Sequence, residues 1–457
     1  MAREKLGSRL GFILLSAGCA IGMGNVWKFP YMAGQYGGGA FVLIYLVFLV
    51  IMGLPVLTIE FSLGRAAQKS PVMLYQQLAP KGSKWHYHGK AAMIGNYVLM
   101  MFYTVVAGWM ITYFVNTAKG TYTNMTPDEV GAAFGALTGD PLTMFIYTAI
   151  VIVLGFLVCS FSLQGGLERV TKVMMLALLA IMVILAIQSF TMDGAKEGLS
   201  FYLKPDLGKM QEIGIGNVIV GAMNQAFFTL SLGIGSMAIF GSYLDKKRSL
   251  MGESVNVVLL DTFVALTAGL IIFPACFTFD VEVGAGPSLI FVTLPNVFNN
   301  MAMGNFWGSL FFLFMVFAAM STVFAVFENI IACCMDLWGW SRKKACAINC
   351  ALFFVLCLPC ILGFNILADI HPLGGATNLM DLEDFIVSNV LLPLGSVCFI
   401  VFATSKKGWG WKNLMAEANS GEGLKMPNWI RGYVSYVLPV IVVVLFIIGV
   451  LTFFGIM

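Results

Sequence analysis

Six polar residues, Asn25, Thr229, Ser231, Asp261, Ser321 and Thr322, interrupt otherwise apolar stretches, and together they offer the oxygens that a desolvated cation needs. Asp261 is the sharpest of them. It lies within VVLLDTFVALTAG, where a charge is expensive unless partnered, and acids at such depth are functional by default. It reads as a cation ligand or a proton carrier; the plainer alternative is a paired or hydrated carboxyl near a boundary. A sodium ion stripped of water also draws on backbone carbonyls. These are free only where a helix unwinds, and unwound backbone is tolerated in a membrane only where it is buried or lines a cavity. GCAIGMG (18–24) is such an interruption and would free the carbonyls of Gly18, Ala20 and Ile21. FFTLSLGIG (227–235) is a second, with Gly233 and Gly235 beside Thr229 and Ser231. Glycine pairs alone would suggest close helix packing. Polar residues at the same two breaks favour an ion and solute site.

Other charges fall near the ends of apolar segments. Glu60 precedes Arg65, which predicts a structural ion pair, and Glu328 either lines an exit path or is simply paired. Lys28 either snorkels to an interface or gates the site by pairing with Asp384; Arg3 and Asp336 could gate the opposite side. Ion pairs in wet surroundings contribute only about 0–1 kcal/mol, which suits contacts that must form and break.

The elements that position these residues are membrane spans. Hydrophobic residues make up 59% of the 457 and charged residues 11%, against roughly 25% charged in a soluble domain. Eleven stretches are long enough to cross a bilayer: 9–36, 39–64, 91–118, 141–161, 167–190, 214–242, 253–278, 307–335, 345–363, 385–404 and 433–456. With the N-terminus inside, 21 of the 26 basic residues fall on inner segments, while Asp280, Glu282, Asp381, Glu383 and Asp384 lie outside. Eleven spans then place the C-terminus outside. The first and sixth spans, both interrupted, lie five apart and cross with opposite polarity, the pattern of two inverted halves with a site at mid-membrane. No separate soluble domain is left over, so residues 1–457 form a single transporter domain.

Several classes are disfavoured. The net charge of +3, scattered through loops, excludes a nucleic-acid partner. The ten cysteines have neither disulfide nor zinc-ligand spacing and read as packing residues. No cleavable signal peptide is read in the first segment. His86, His88 and His371 fall in loops, and no His-Glu-x-x-His or Ser–His arrangement occurs in a span, so the chain is not an enzyme. Nothing resembles the repeated filter segment of a channel.

The stretch RLGFILLSAGCAIGMGNVWKFPYMAGQYGGGAF, followed by EFSLGR, FFTLSLGIG and AAMSTVFAVFE, resembles the neurotransmitter:sodium symporter family. The likeness runs from Arg3 to at least the tenth span. It implies an all-α polytopic protein of the leucine-transporter type, with spans 1–5 (9–190) and 6–10 (214–404) as inverted five-helix repeats and 433–456 as an extra span. It further implies two sodium ions. One would be held by the Ala20 carbonyl, Asn25, Thr229, Asp261 and the substrate carboxylate. The other would be held by the carbonyls of Gly18, Ile21 and Ala318 and the hydroxyls of Ser321 and Thr322. The substrate carboxylate would meet the amides of Met23 and Gly24 and the Tyr103 hydroxyl, at a positive helix N-terminus. Its amine would meet the carbonyls of Ala20, Phe228 and Thr229 and the Ser231 hydroxyl. Leu99, Val106, Phe228, Ile234 and Val326 would surround its side chain, with Cys19 and Thr322 completing the wall, and Phe228 and Tyr103 would form a lid beneath Lys28 and Asp384.

Departures from the family pattern narrow the expectation. Gly22 stands where monoamine carriers resemble one another in having an acid, which implies a zwitterionic amino acid, and the aliphatic wall of Leu99, Ile234 and Val326 implies a neutral, hydrophobic side chain. Asp261 and Ala265 replace an amide and a hydroxyl of chloride-dependent members, so no chloride is expected. Ala265 also lacks the acid of some bacterial members, which leaves proton antiport open. Lys28 replaces an Arg and loses bidentate pairing, and Leu6 replaces a Trp near the inner gate. Short tails and a short loop between spans three and four without a cysteine pair resemble prokaryotic members. A prokaryotic plasma (inner) membrane is therefore expected, with the sequon at Asn124 unused.

Overall fold

A computed structural model describes residues 4–280 and 289–455. Arg3 and Glu282 lie outside the described residues. The described chain is helical, and its principal helices are, in order, α1 (Arg9–Ala20), α2 (Gly24–Gln35), α3 (Gly39–Ala67), α4 (His86–Ala118), α5 (Pro141–Ser160), α6 (Leu163–Ser189), α7 (Ile215–Thr229), α8 (Ser236–Gly241), α9 (Leu250–Thr278), α10 (Gly304–Trp338), α11 (Arg342–Leu362), α12 (Leu379–Thr404) and α13 (Asn428–Phe453). Among the described residues nine helices are long and apolar enough to cross a membrane, and α1 with α2 makes a tenth, bent by 54°. The 214–242 stretch is not one continuous helix. It is divided into α7 and α8 by the extended turn 230–235.

Both interruptions have local causes. Between α1 and α2 the helix opens at Ile21, whose backbone is extended, and resumes as a π-helical turn at Gly24–Lys28. Between α7 and α8 the backbone enters the left-handed region at Ser231, Gly233 and Gly235. Only glycine adopts that region without a Cβ penalty, so Ser231 is the strained member. Further π-helical turns at Leu49–Gly53, Phe385–Leu391 and Tyr433–Val437 each end two residues before a proline, at Pro55, Pro393 and Pro439. Proline lacks an N–H and clashes with the carbonyl four residues back. A local widening of the helix accommodates both problems without breaking the span.

Helices α1, α7 and α8 sit at the centre, packed against α3, α9 and α10, with α4 along α10. Close approach is built in where α8 crosses α3: a Cβ on Gly64 would lie 1.8 Å from the Ala238 carbonyl oxygen. Such small-residue contacts replace the hydrophobic drive that helices lack in lipid. The connections are more ordered than expected. The loop between α4 and α5 carries a helix, Pro127–Gly139, capped by a reciprocal Thr126–Glu129 pair. Helices Ala195–Leu203, Leu207–Ile213 and Trp411–Ala418 occupy the other long connections. His86 and His88 are not in a loop; they open α4, and the half-buried His88 packs its ring against Tyr75 and Phe399. All ten cysteines are free.

Candidate functional site

The two broken helices face each other, and their exposed backbone meets the polar side chains of α9 and α10. Asp261, on α9, has no solvent exposure. Its carboxylate accepts from Asn25 Nδ2 at 2.8 Å and from Thr229 Oγ1 at 3.1 and 3.3 Å. Asn25 also donates to the Asp261 carbonyl at 3.1 Å, and its Oδ1 accepts the Gly22 amide at 3.2 Å. Three helices thus converge on one carboxylate, and no lysine, arginine or histidine pairs with it among the described residues. A buried carboxylate without countercharge is strongly unfavourable. A cation at this point would meet the carboxylate and Thr229 Oγ1, while Asn25 turns its nitrogen toward Asp261 and its oxygen toward the Gly22 amide.

A second oxygen cluster lies on the other side of the α1 break. Ser321 Oγ is 3.1 Å from the Ile21 carbonyl and 2.8 Å from that of Ala318. Thr322 Oγ1 is 3.3 Å from the Gly18 carbonyl and 3.5 Å from those of Cys19 and Ile21. All five expected residues, Gly18, Ile21, Ala318, Ser321 and Thr322, therefore meet. The Ile21 carbonyl is available because the chain is extended there.

Between the clusters lies a small cavity of about 20 Å³, lined by Cys19, Ala20, Gly22, Gly24, Leu99, Tyr103, Phe228, Ser231, Ile234 and Thr322 together with Val387 and Leu392 of α12. Tyr103 and Phe228 separate it from a vestibule of about 220 Å³ that also touches Met23, Val106, Lys28 and Asp384. The Met23 amide donates to the Tyr103 hydroxyl at 3.0 Å, and Ser231 Oγ donates to the Cys19 carbonyl at 3.1 Å. At the mouth, Lys28 Nζ lies 3.3 Å from Asp384 and from Ser388 Oγ, and 4.0 Å over the Phe228 ring. Its cation thus caps the lid as well as pairing with the acid.

The expectation for Glu60 is corrected. Glu60 does not pair with Arg65; its Oε1 accepts the Gly233 amide at 2.6 Å in the second break. Residues five apart on a helix do not share a face, and Arg65 instead pairs with Glu417 at 2.6 Å, its guanidinium also meeting the Glu417 carbonyl. Of its two readings, Glu328 takes the paired one, to Arg342 at 2.6 and 3.0 Å and to the Tyr243 hydroxyl at 2.5 Å. Asp336 meets Lys69 at 3.4 Å and the Ser70 amide at 2.7 Å, while its expected partner Arg3 lies outside the described residues. Val326 is fully buried and lines neither cavity; Val387 and Leu392 supply that wall. Gln225, which donates to the Gly24 carbonyl at 2.7 Å, and Asn96 were not singled out by sequence. Their only sequence signal is an amide in an apolar span.

A family model described as the Sodium:neurotransmitter symporter family matches residues 3–126 and 140–456. An uncharacterized sodium-dependent transporter of Bacillus subtilis (strain 168) is 34% identical over 450 residues, 98% of each chain. One from Haemophilus influenzae is 31% identical, covering 97% of this chain and 98% of its own. The crystal structure of MhsT in complex with L-phenylalanine matches with a TM-score of 0.88 at 34% identity, over 98% of this chain and 99% of that one.

Proposed function

From the premise that the chain belongs to the sodium:neurotransmitter symporter family, we propose that it is a multi-pass symporter that couples sodium influx to uptake of a neutral, hydrophobic amino acid by alternating access. The observation that carries this reading is Asp261, buried and held by Asn25 and Thr229 with no cationic side chain paired to it among the described residues. One sodium ion sits there with the Ala20 carbonyl and the substrate carboxylate. A second sits among Gly18, Ile21, Ala318, Ser321 and Thr322. The fixed charge of Asp261 replaces chloride, so transport does not require it.

Gly22 leaves no countercharge for a free amine, and the aliphatic wall of Leu99 and Ile234 disfavours a charged side chain. The L-phenylalanine bound to the similar MhsT agrees with a hydrophobic cargo. The carboxylate meets the amides of Met23 and Gly24 and the Tyr103 hydroxyl; the amine meets the carbonyls of Ala20, Phe228 and Thr229 and the Ser231 hydroxyl. Because the cavity has room for little more than a water, the Met23–Tyr103 bond must open as cargo enters. The chain crosses a prokaryotic plasma membrane eleven times, with α7 and α8 as the sixth crossing. The N-terminus is inside and the C-terminus outside. Residues 9–190 and 214–404 are inverted halves, and 433–456 an added span.

Competition of sodium-driven radiolabelled uptake by the twenty amino acids in proteoliposomes tests the cargo. Hydrophobic side chains should compete and charged ones should not; competition by lysine or glutamate alone would refute the assignment. Lys28 and Asp384 form the outer gate, but they are 26% and 38% exposed. Lys28→Ala should therefore change apparent substrate affinity by less than about fivefold. A loss of uptake altogether would give that pair a larger role than a gate.

A further inference from the structure

Below the cavity, a saturated amide ties the substrate wall to two other helices. Asn96 lies three residues before Leu99 on α4 and is 1% exposed. Its Nδ2 donates to the Ala92 carbonyl at 2.7 Å and to the Ile234 carbonyl at 2.9 Å. Its Oδ1 accepts from Ser236 Oγ at 3.2 Å and Asn329 Nδ2 at 3.1 Å. Carbonyls accept only, so the amide orientation is forced, and all of its hydrogen-bonding capacity is used.

The Ile234 carbonyl needs that donor. Ile234 lies between Gly233 at φ +96 and Gly235 at φ +75, and no backbone amide donates to it among the described residues. A buried carbonyl left unpaired is strongly disfavoured. One residue earlier, the Gly233 amide is taken by Glu60. The peptide that aims the Ile234 side chain at the cavity is thus held from both sides, by α3 and by α4. Asn329, the fourth member, lies two helical turns beyond Thr322 on the same side of α10.

We propose that Asn96 is a positioning residue for substrate selection: it fixes the Ile234 wall, and with it the depth of the side-chain pocket, relative to the helix that carries Ser321 and Thr322. This rests on the amino-acid transport reading above, and it assigns Asn96 no contact with cargo. Two measurements on the purified full chain test it. In Asn96→Ala, hydrogen exchange of amides 231–236 should speed up about tenfold while α5 and α6 exchange as before. The ratio of Vmax/KM for phenylalanine to that for alanine should shift about tenfold, mainly through KM. Ser236→Ala loosens the same amide without emptying the α4 side, and should shift both readouts by about threefold. Unchanged exchange at 231–236, a uniform rise across the molecule, or equal loss of uptake for every amino acid would each overturn the proposal. Absence of amino-acid uptake by the unmutated protein would overturn the transport reading and the selection role with it, while exchange would still decide whether Asn96 positions the break.

Discussion

Asp261→Ala is expected to lower sodium-dependent uptake by at least about 100-fold while leaving a folded protein. Removing one partner of a buried charge pair is worth about 3–5 kcal/mol, and every 1.4 kcal/mol is tenfold. Here the partner lost is the carboxylate on which Asn25 of α2 and Thr229 of α7 converge, so the two broken helices lose their common anchor along with the charge. Asp261→Asn separates these effects. An amide keeps an oxygen for the Asn25 donor and drops the charge, so this variant should retain the site's shape and lose sodium affinity by about tenfold or more. Sodium titrations of uptake at saturating amino acid, with thermal unfolding of each variant in detergent, make the comparison. Wild-type sodium dependence in Asp261→Ala would sink the cation assignment of that carboxylate.

Gly22→Ala is expected to reduce substrate affinity by about 100-fold although it adds a single methyl group. A Cβ at Gly22 would lie 2.3 Å from the Tyr103 hydroxyl and 2.4 Å from Thr322 Oγ1. These are not the ends of free side chains. Tyr103 is held by the Met23 amide, and Thr322 sits over the carbonyls of the α1 break, so neither gives way without disturbing the carboxylate end of the site or the second ion cluster. Overpacking a tight site ordinarily costs about 1–3 kcal/mol, and displacing two ligands adds to it. Equilibrium binding of labelled amino acid with and without sodium reads the effect. An affinity within about threefold of wild type would mean that the helices separate more readily here than their packing implies.

The sequence made the site's chemistry more legible than its walls. Asn25, Thr229, Asp261, Ser321 and Thr322 stand out because an oxygen-bearing side chain in an apolar span must be satisfied, and glycines beside them mark where backbone is released. In the fold Asp261 holds Asn25 and Thr229, and Ser321 and Thr322 lie against the carbonyls of the α1 break, groupings that the family resemblance implied and spacing alone did not. The wall residues carry no such mark. Val326 and Val387 are equally apolar, and only the tertiary packing of α12 decides that Val387 reaches the cavity. Charges near span ends were hardest to assign, since sequence proximity suggested Arg65 for Glu60 while helix geometry turned the two apart. The sixth crossing was recognisable as interrupted from its glycines. That it divides into α7 and α8 across six residues depends on Glu60 and Asn96 being present on neighbouring helices to take the freed backbone groups.

The central claim is that a sodium gradient, acting through the Asp261 cluster, drives concentration of a hydrophobic amino acid. Its most direct test is accumulation of radiolabelled phenylalanine in proteoliposomes under an inward sodium gradient, with chloride replaced by gluconate throughout. The account predicts accumulation above equilibrium that collapses when the sodium gradient is removed and is lost in Asp261→Ala. Accumulation that ignores the sodium gradient, or that appears only with chloride, would contradict it.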